Sequence, residues 1–114
     1  MHAIAALILG GFLVAVGVSH FLAPAYYRAL VPAALPRPDL LVAASGSAEI
    51  VVGGCLATPV TRAFGAWAAL TLLCAYLVLW LARLLSAHTN RAAAAVAVNA
   101  IYVVWAALVA TTGA

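Results

Sequence analysis

Four apolar runs follow one another along this chain, each about 20 residues long and broken only by short stretches of proline or polar residues. At ~1.5 Å per residue, a helix of that length crosses ~30 Å, the hydrocarbon thickness of a bilayer. The runs cover about 3–23, 40–57, 62–85 and 91–112. A short helix in the first break, over Tyr26 to Leu30, would suit the membrane boundary. Charge supports the same reading. Only 6% of the 114 residues are charged and 69% are hydrophobic. A soluble domain carries roughly a quarter of its residues charged. The expectation is one all-α domain over residues 1–114, an integral membrane four-helix bundle with a proline-rich connection between helices one and two.

The first connection reads PAYYRALVPAALPRPD and holds Pro24, Pro32, Pro36 and Pro38. Proline lacks a backbone donor and restricts its predecessor, so no long helix is expected through it. Tyr26 and Tyr27 suit the headgroup boundary. Asp39 opens the second run, and Thr58-Pro59 closes it. Arg62 and Arg83 flank the third run about 21 positions apart, ~31 Å along a helix. The linker Ser86–Asn90 is polar and turn-like. At the N-terminus only His2 precedes the first run, which lacks a basic leader, so it reads as a retained helix.

The charges also orient the chain. Arg28, Arg37, Arg83 and Arg91 lie near the first and third connections, and Arg62 lies at the second. The positive-inside rule then puts the first and third connections in the cytoplasm. The arginines are isolated, so no stripe exists to cover several phosphates, and nucleic-acid binding is not expected. Cys55 and Cys74 form no CxxC pair and have no metal-type spacing with the histidines, so no metal site is expected and the thiols read as inert filler.

Glu49 is the most informative residue. It lies about ten positions after Asp39, ~15 Å into the second run and close to the bilayer midplane. An ionisable side chain there costs about 2.5–3.5 kcal/mol on insertion scales, and such groups normally face the bundle interior and mark a site. The plainer alternative is a protonated Glu that hydrogen-bonds a neighbouring helix and locks the bundle. Ser45 lies one turn before Glu49. Measured from Arg83 and Arg91, Tyr76 and Asn99 fall ~10–12 Å deep, and Tyr102 lies one turn beyond Asn99. These five residues could form one polar layer, or each could be separately satisfied. His20, near the end of the first run, is a candidate proton carrier or ligand, or a helix-end cap. Helix arithmetic puts it several ångströms nearer the surface than Glu49, and contact would require the proline-rich connection to dip inward. Gly10 and Gly17 share one helix face, as do Gly46 and Gly53, so the first two long helices can approach closely.

The stretch Gly17-x-x-His20-Phe21-x-x-Pro24, then Tyr27, Pro32, Leu35-Pro36-x-Pro38, Leu41-Val42, Ser45-Gly46-x-x-Glu49-Ile50-x-x-Gly53 and Pro59-x-x-Arg62 resembles the DoxX-like family of small membrane proteins. The resemblance covers about the first two-thirds of the chain. It implies a four-helix membrane bundle, with relatives that include the small subunit of a thiosulfate:quinone oxidoreductase and redox-associated membrane proteins. Tyr27 thereby joins Ser45, Tyr76, Asn99 and Tyr102 as a candidate for binding a ligand. Many such proteins carry Pro-Ala-Asn late in helix three. Here Cys74-Ala75-Tyr76 stands there, so Tyr76 or Asn99 would substitute.

Three functions fit. The first is a membrane protein, in the plasma membrane of a prokaryote, that holds a lipophilic molecule such as a quinone or supports a redox partner. Glu49 and His20 would bond the polar head while the apolar helices take the tail. The second is a small membrane enzyme doing acid–base chemistry on a lipid or isoprenoid, for example an isomerase or cyclase, with Glu49 and His20 as catalytic candidates. The third is a proton or small-solute transporter, which would need a homo-oligomer to enclose a path. No haem, flavin or nucleotide motif is present.

Overall fold

The computed structural model describes residues 2–31 and 35–111, which leaves Pro32 of the first connection outside the described residues. Those residues are all-helical in arrangement, with no strand among them. Five α-helices occur: α1 (His2–Leu22), α2 (Pro24–Leu30), α3 (Pro38–Ala57), α4 (Arg62–Ala87) and α5 (Asn90–Thr111), with a 3₁₀ turn over Pro59–Thr61. α1, α3, α4 and α5 are each long and apolar enough to cross a membrane, the α4 segment being extended by its preceding turn to Pro59–Ala87.

Local chemistry sets the helix ends. Pro24 and Pro38 sit in the first turns of α2 and α3, where the missing N–H has no partner to lose. Proline therefore starts these helices as well as ending what precedes them. Asp39 lies in the first turn of α3, where a negative charge is favoured. It accepts a hydrogen bond from Arg28 of α2 at 2.9 Å. The last carbonyls of α3 are capped in series. Thr58 donates to Gly54 O at 3.0 Å, Thr61 to Cys55 O at 2.9 Å, and Arg62 Nε to Leu56 O at 2.9 Å. These bonds satisfy carbonyls that a helix end otherwise leaves open. α4 stops at His88, which is left-handed with φ 53° and donates its N–H to Leu84 O at 2.8 Å. Thr89 then caps α5 by accepting the Ala92 N–H at 3.1 Å.

α1 packs along α3, α3 along α4 and α4 along α5, with α5 returning to α1. The α1–α3 seam is built on glycine. A Cβ at Gly17 would lie 2.7 Å from Gly46 O, and one at Gly53 would lie 2.5 Å from Gly10 O. Backbones approach this closely only where both helices present glycine. The two glycine pairs run in opposite directions along the chain, so α1 and α3 are antiparallel, and Glu49 falls between the two crossings.

The buried core gathers Leu9, Leu13, Leu56, Ala66, Ala69, Leu73, Ala106 and Val109. The outward faces carry large apolar side chains, among them Ile4, Ile8, Val51, Phe64, Val78, Ile101 and Leu108. Cys74 is also on an exposed face rather than in the core, and Cys55 is half-buried.

The α1–α3 and α4–α5 connections lie at one end of the molecule. Arg83 of α4 donates to Leu30 O at 2.8 Å and Ala29 O at 3.2 Å, which caps the C-terminus of α2. Arg91 of α5 lies 5.5 Å from the Tyr26 ring centre. α2 is thus fastened across this end by cationic side chains from α4 and α5.

Candidate functional site

Glu49 points inward from α3 and is 2% exposed, and His20 of α1 is 6% exposed. They are the two buried polar or charged residues among those described. His20 Nδ1 stands 3.3 Å from Glu49 Oε2. Simple depth counting separates these residues, but the glycine register unites them. The Gly17–Gly46 crossing brings the His20 Cβ over Gly46, one turn from Glu49. The side chain then spans that turn. The seam of α1 and α3 makes the contact.

The protonation pattern around His20 follows from its partners. Nδ1 lies 2.8 Å from Val16 O, which can only accept. Nδ1 therefore carries hydrogen and donates it to that carbonyl. Nε2 faces Ser45 Oγ at 3.4 Å. Ser45 in turn shares a short hydrogen bond with the Tyr76 hydroxyl of α4. Tyr76 also faces the Glu49 carboxyl. Three helices thus contribute to one polar cluster: His20 from α1, Ser45 and Glu49 from α3, and Tyr76 from α4. Within it, Glu49 Oε2 is buried and has no hydrogen-bond partner, since the nearby Nδ1 hydrogen is directed to Val16.

Tyr27 of α2 covers the outer side of this cluster. Its ring stacks on His20 at 3.7 Å between centres and 12° between planes. Ser19 donates to Val16 O at 2.5 Å, so it receives the Tyr27 hydroxyl hydrogen, also at 2.5 Å. Ser19 went unmarked in the sequence. Its adjacency to His20 was the available signal, because the two side chains share the Val16 carbonyl as acceptor.

Asn99 and Tyr102 behave differently. Asn99 donates to Ala95 O of its own helix at 3.0 Å, and Tyr102 packs against Phe12 with ring centres 4.8 Å apart. Neither joins the cluster around Glu49 by a hydrogen bond that the geometry records. Both line the same cavity, so the expected single polar layer resolves into a bonded cluster and two wall residues. The cavity has a volume of about 940 Å³. It runs from Glu49, His20, Ser45 and Tyr76 past the apolar walls of Val16, Leu73 and Leu79 toward Trp80, Arg83 and Ser86 beneath α2. Ligand sites typically occupy about 300–1,000 Å³ and pair an apolar wall with a few placed polar groups. From the sequence Trp80 fits an interface anchor or a core residue equally, and Arg83 reads as a flank of the third run.

Comparison with curated proteins and with solved structures yields no match. A family model described as a domain of unknown function (DUF8561) matches residues 9–110, a span that includes every residue of the cluster and nearly all of the four long helices, and the chain belongs to that family.

Proposed function

We propose that this chain is a multi-pass integral membrane protein, a four-helix bundle of the plasma membrane of a prokaryote, that binds a lipophilic small molecule in the cavity at Glu49. Its four long apolar helices and the large apolar side chains on their outer faces support the membrane reading. The shared end of the first and third connections, with Arg28, Arg83 and Arg91 close by, supports placing that end in the cytoplasm. The observation that carries the binding reading is the buried Glu49 Oε2, which stands 3.3 Å from His20 Nδ1 but has no hydrogen-bond partner, on the wall of a largely apolar cavity. A buried acceptor without a donor is costly, by about 1–3 kcal/mol or more for a charged group. A ligand head group can relieve that cost. The DoxX-like resemblance points to a quinone or a redox partner as the occupant class, the reduced quinone supplying the hydroxyl donor, with Glu49, His20, Ser45 and Tyr76 at the head and Tyr27, Asn99 and Tyr102 along the wall.

The test is mass spectrometry of small molecules that co-purify with the protein in lipid nanodiscs, compared between wild type and Glu49→Gln. A lipophile enriched in the wild type and lost in the variant supports the reading. Identical lipid profiles from two folded proteins would overturn it.

One observation favours a second reading, a small enzyme for acid–base chemistry on a lipid or isoprenoid. Glu49, His20 and Tyr76 stand as adjacent proton-transfer groups beside the cavity. In that case incubation with the co-purified lipophile would convert it to an isomer, and Glu49→Gln would retain binding while losing conversion.

A further inference from the structure

The cavity wall is unusual in its aromatic content. All four tyrosines of the chain, Tyr26, Tyr27, Tyr76 and Tyr102, line it, together with Phe12 and Trp80. Phe21, Phe64, Trp67 and Trp105 do not. Six of the ten aromatic side chains of the chain thus line the cavity, Tyr26 being partly exposed. Ring faces are negative, and they attract a cation brought within about 6 Å.

The hydrogen-bond inventory points the same way. A carboxylate only accepts, and the inner cluster is short of donors. Nδ1 of His20 is committed to Val16 O. The Ser45 and Tyr76 hydroxyls share one bond between themselves. Two hydroxyl hydrogens must then serve Ser45, Tyr76, His20 Nε2 and both oxygens of Glu49, and Oε2 receives none. The one arginine on the cavity wall, Arg83, donates to two α2 carbonyls at the outer end. It lies seven residues from Tyr76, roughly 10 Å along α4. Trp80 and Tyr26 already face the guanidinium groups of Arg83 and Arg91, and Tyr27 stacks on His20, so Phe12, Tyr76 and Tyr102 are the wall rings left without such a partner. The cavity thus combines an acid, an acceptor oxygen without a hydrogen-bond donor and these three rings.

We infer that the inner end of the cavity takes the positively charged, hydrogen-donating head of a lipophilic amine, with its N–H directed to Glu49 Oε2 and its apolar tail lying toward Trp80. This rests on the cavity being a ligand site, and it narrows the occupant to a cationic class, in contrast to a neutral quinone. A carboxylate-headed lipid is disfavoured by Glu49 itself. A neutral alcohol can donate to Oε2, but it gains nothing from the rings and forms the weaker bond.

The experiment uses three probes with one tail: 4-phenylbutylamine, 4-phenylbutanol and 4-phenylbutanoate. Each is titrated into the full chain in zwitterionic nanodiscs and followed by calorimetry and by tryptophan emission, which Trp80 reports. Empty nanodiscs supply the partition baseline. The amine is expected to bind about tenfold more tightly than the alcohol, the ratio between a charge-assisted and a neutral hydrogen bond. The carboxylate is expected to bind most weakly. Glu49→Gln should erase the amine's advantage over the alcohol. Tyr102→Leu removes one ring from the wall and should narrow the advantage, which keeps the inference testable if Glu49→Gln does not fold. Equal or tighter binding of the alcohol overturns the inference and leaves the cavity a lipophile site. An amine advantage that survives Glu49→Gln overturns it as well. Saturable binding of none of the probes overturns both this inference and the binding reading on which it rests.

Discussion

Gly53→Ala is expected to destabilise the protein by about 2 kcal/mol, although alanine is the better helix former. The added Cβ would stand 2.5 Å from Gly10 O, 2.7 Å from Val14 Cγ2 and 3.0 Å from Val14 N. Two of those atoms are backbone, so no rotamer change removes the collision. Reaching ordinary contact near 3.4 Å requires α1 and α3 to part by roughly 0.9 Å, which forfeits dispersion contacts along the whole seam. Overpacking of this kind costs about 1–3 kcal/mol, and a backbone collision belongs at the upper end. Replacing glycine by alanine within a helix returns about 1 kcal/mol. The adjacent Gly54 is the control, since a Cβ there meets nothing within 4 Å. Gly54→Ala should keep the ~1 kcal/mol gain, and the two neighbours should therefore differ by about 3 kcal/mol. The same contrast is expected on the facing helix, between Gly10→Ala, whose Cβ would lie 2.7 Å from Gly53 O, and Gly11→Ala, whose Cβ meets nothing within 4 Å. Because one separation of the helices relieves both collisions, the double variant Gly10→Ala/Gly53→Ala should lose less than the sum of the singles. The assay is reversible unfolding in mixed detergent–SDS micelles, followed by tryptophan emission and far-UV circular dichroism. Equal stability of Gly53→Ala and Gly54→Ala would refute the glycine seam, and with it the register that brings His20 to Glu49.

Arg83→Ala should free the C-terminus of α2 by removing the bonds to Ala29 O and Leu30 O, with amide exchange rising over residues 24–31 and the long helices little changed. Unchanged exchange in that segment would show that Arg83 does not fasten it. Arg28→Ala should shift stability by less than about 1 kcal/mol, because the Arg28–Asp39 pair is exposed, with side chains 44% and 79% accessible. A larger loss would mean that the pair is shielded from water in its native setting. Tyr27→Phe keeps the ring over His20 and removes the bond to Ser19, so it should cost about 1 kcal/mol, while Tyr27→Leu should cost more. Equal losses in the two variants would argue that the stacking contributes nothing.

What the sequence made legible was what depends on position along a helix. The four apolar runs, the breaks at Pro24 and Thr58-Pro59, the place of Glu49 near the middle of its helix and the shared faces of the glycine pairs all follow from spacing alone. Helix rotation and the register between helices depend on partners, and there the reading stopped. His20 shows this best. Counting from the end of its own run sets it apart from Glu49. The relevant origin is instead the crossing of Gly17 with Gly46, which fixes the level of α1 against α3. Asn99 shows the other limit. Its depth matches Tyr76, yet its amide turns back to Ala95 O, a choice that depends on rotamer and neighbours rather than on spacing. Pro24 carried two meanings, and only the end of α1 was read from it. The start of α2 on the same residue depends on the chain finding partners in Arg83 and Asp39 across the fold.

Polar side chains within the long helices fall into two kinds, and the difference locates the site. Thr71, Asn99 and Thr111 each donate to a carbonyl four residues back on their own helix, at 2.7–3.0 Å. Such a bond satisfies the donor whatever the neighbouring helices do, so these residues are tolerated in hydrocarbon without specifying how the helices assemble. Ser45, Tyr76 and Glu49 find their neighbours on other helices, and they do so at one level of one cavity. Cross-helix bonding fixes the relative rotation of α1, α3 and α4, which a purely structural role would explain. It does not explain why the carboxyl at the centre keeps an oxygen without a donor when a serine and a tyrosine hydroxyl stand within the same cluster. A glutamine there could donate as well as accept and would close the inventory from within. A glutamate carboxylate leaves it open to a donor from outside, which is what the proposed binding role requires.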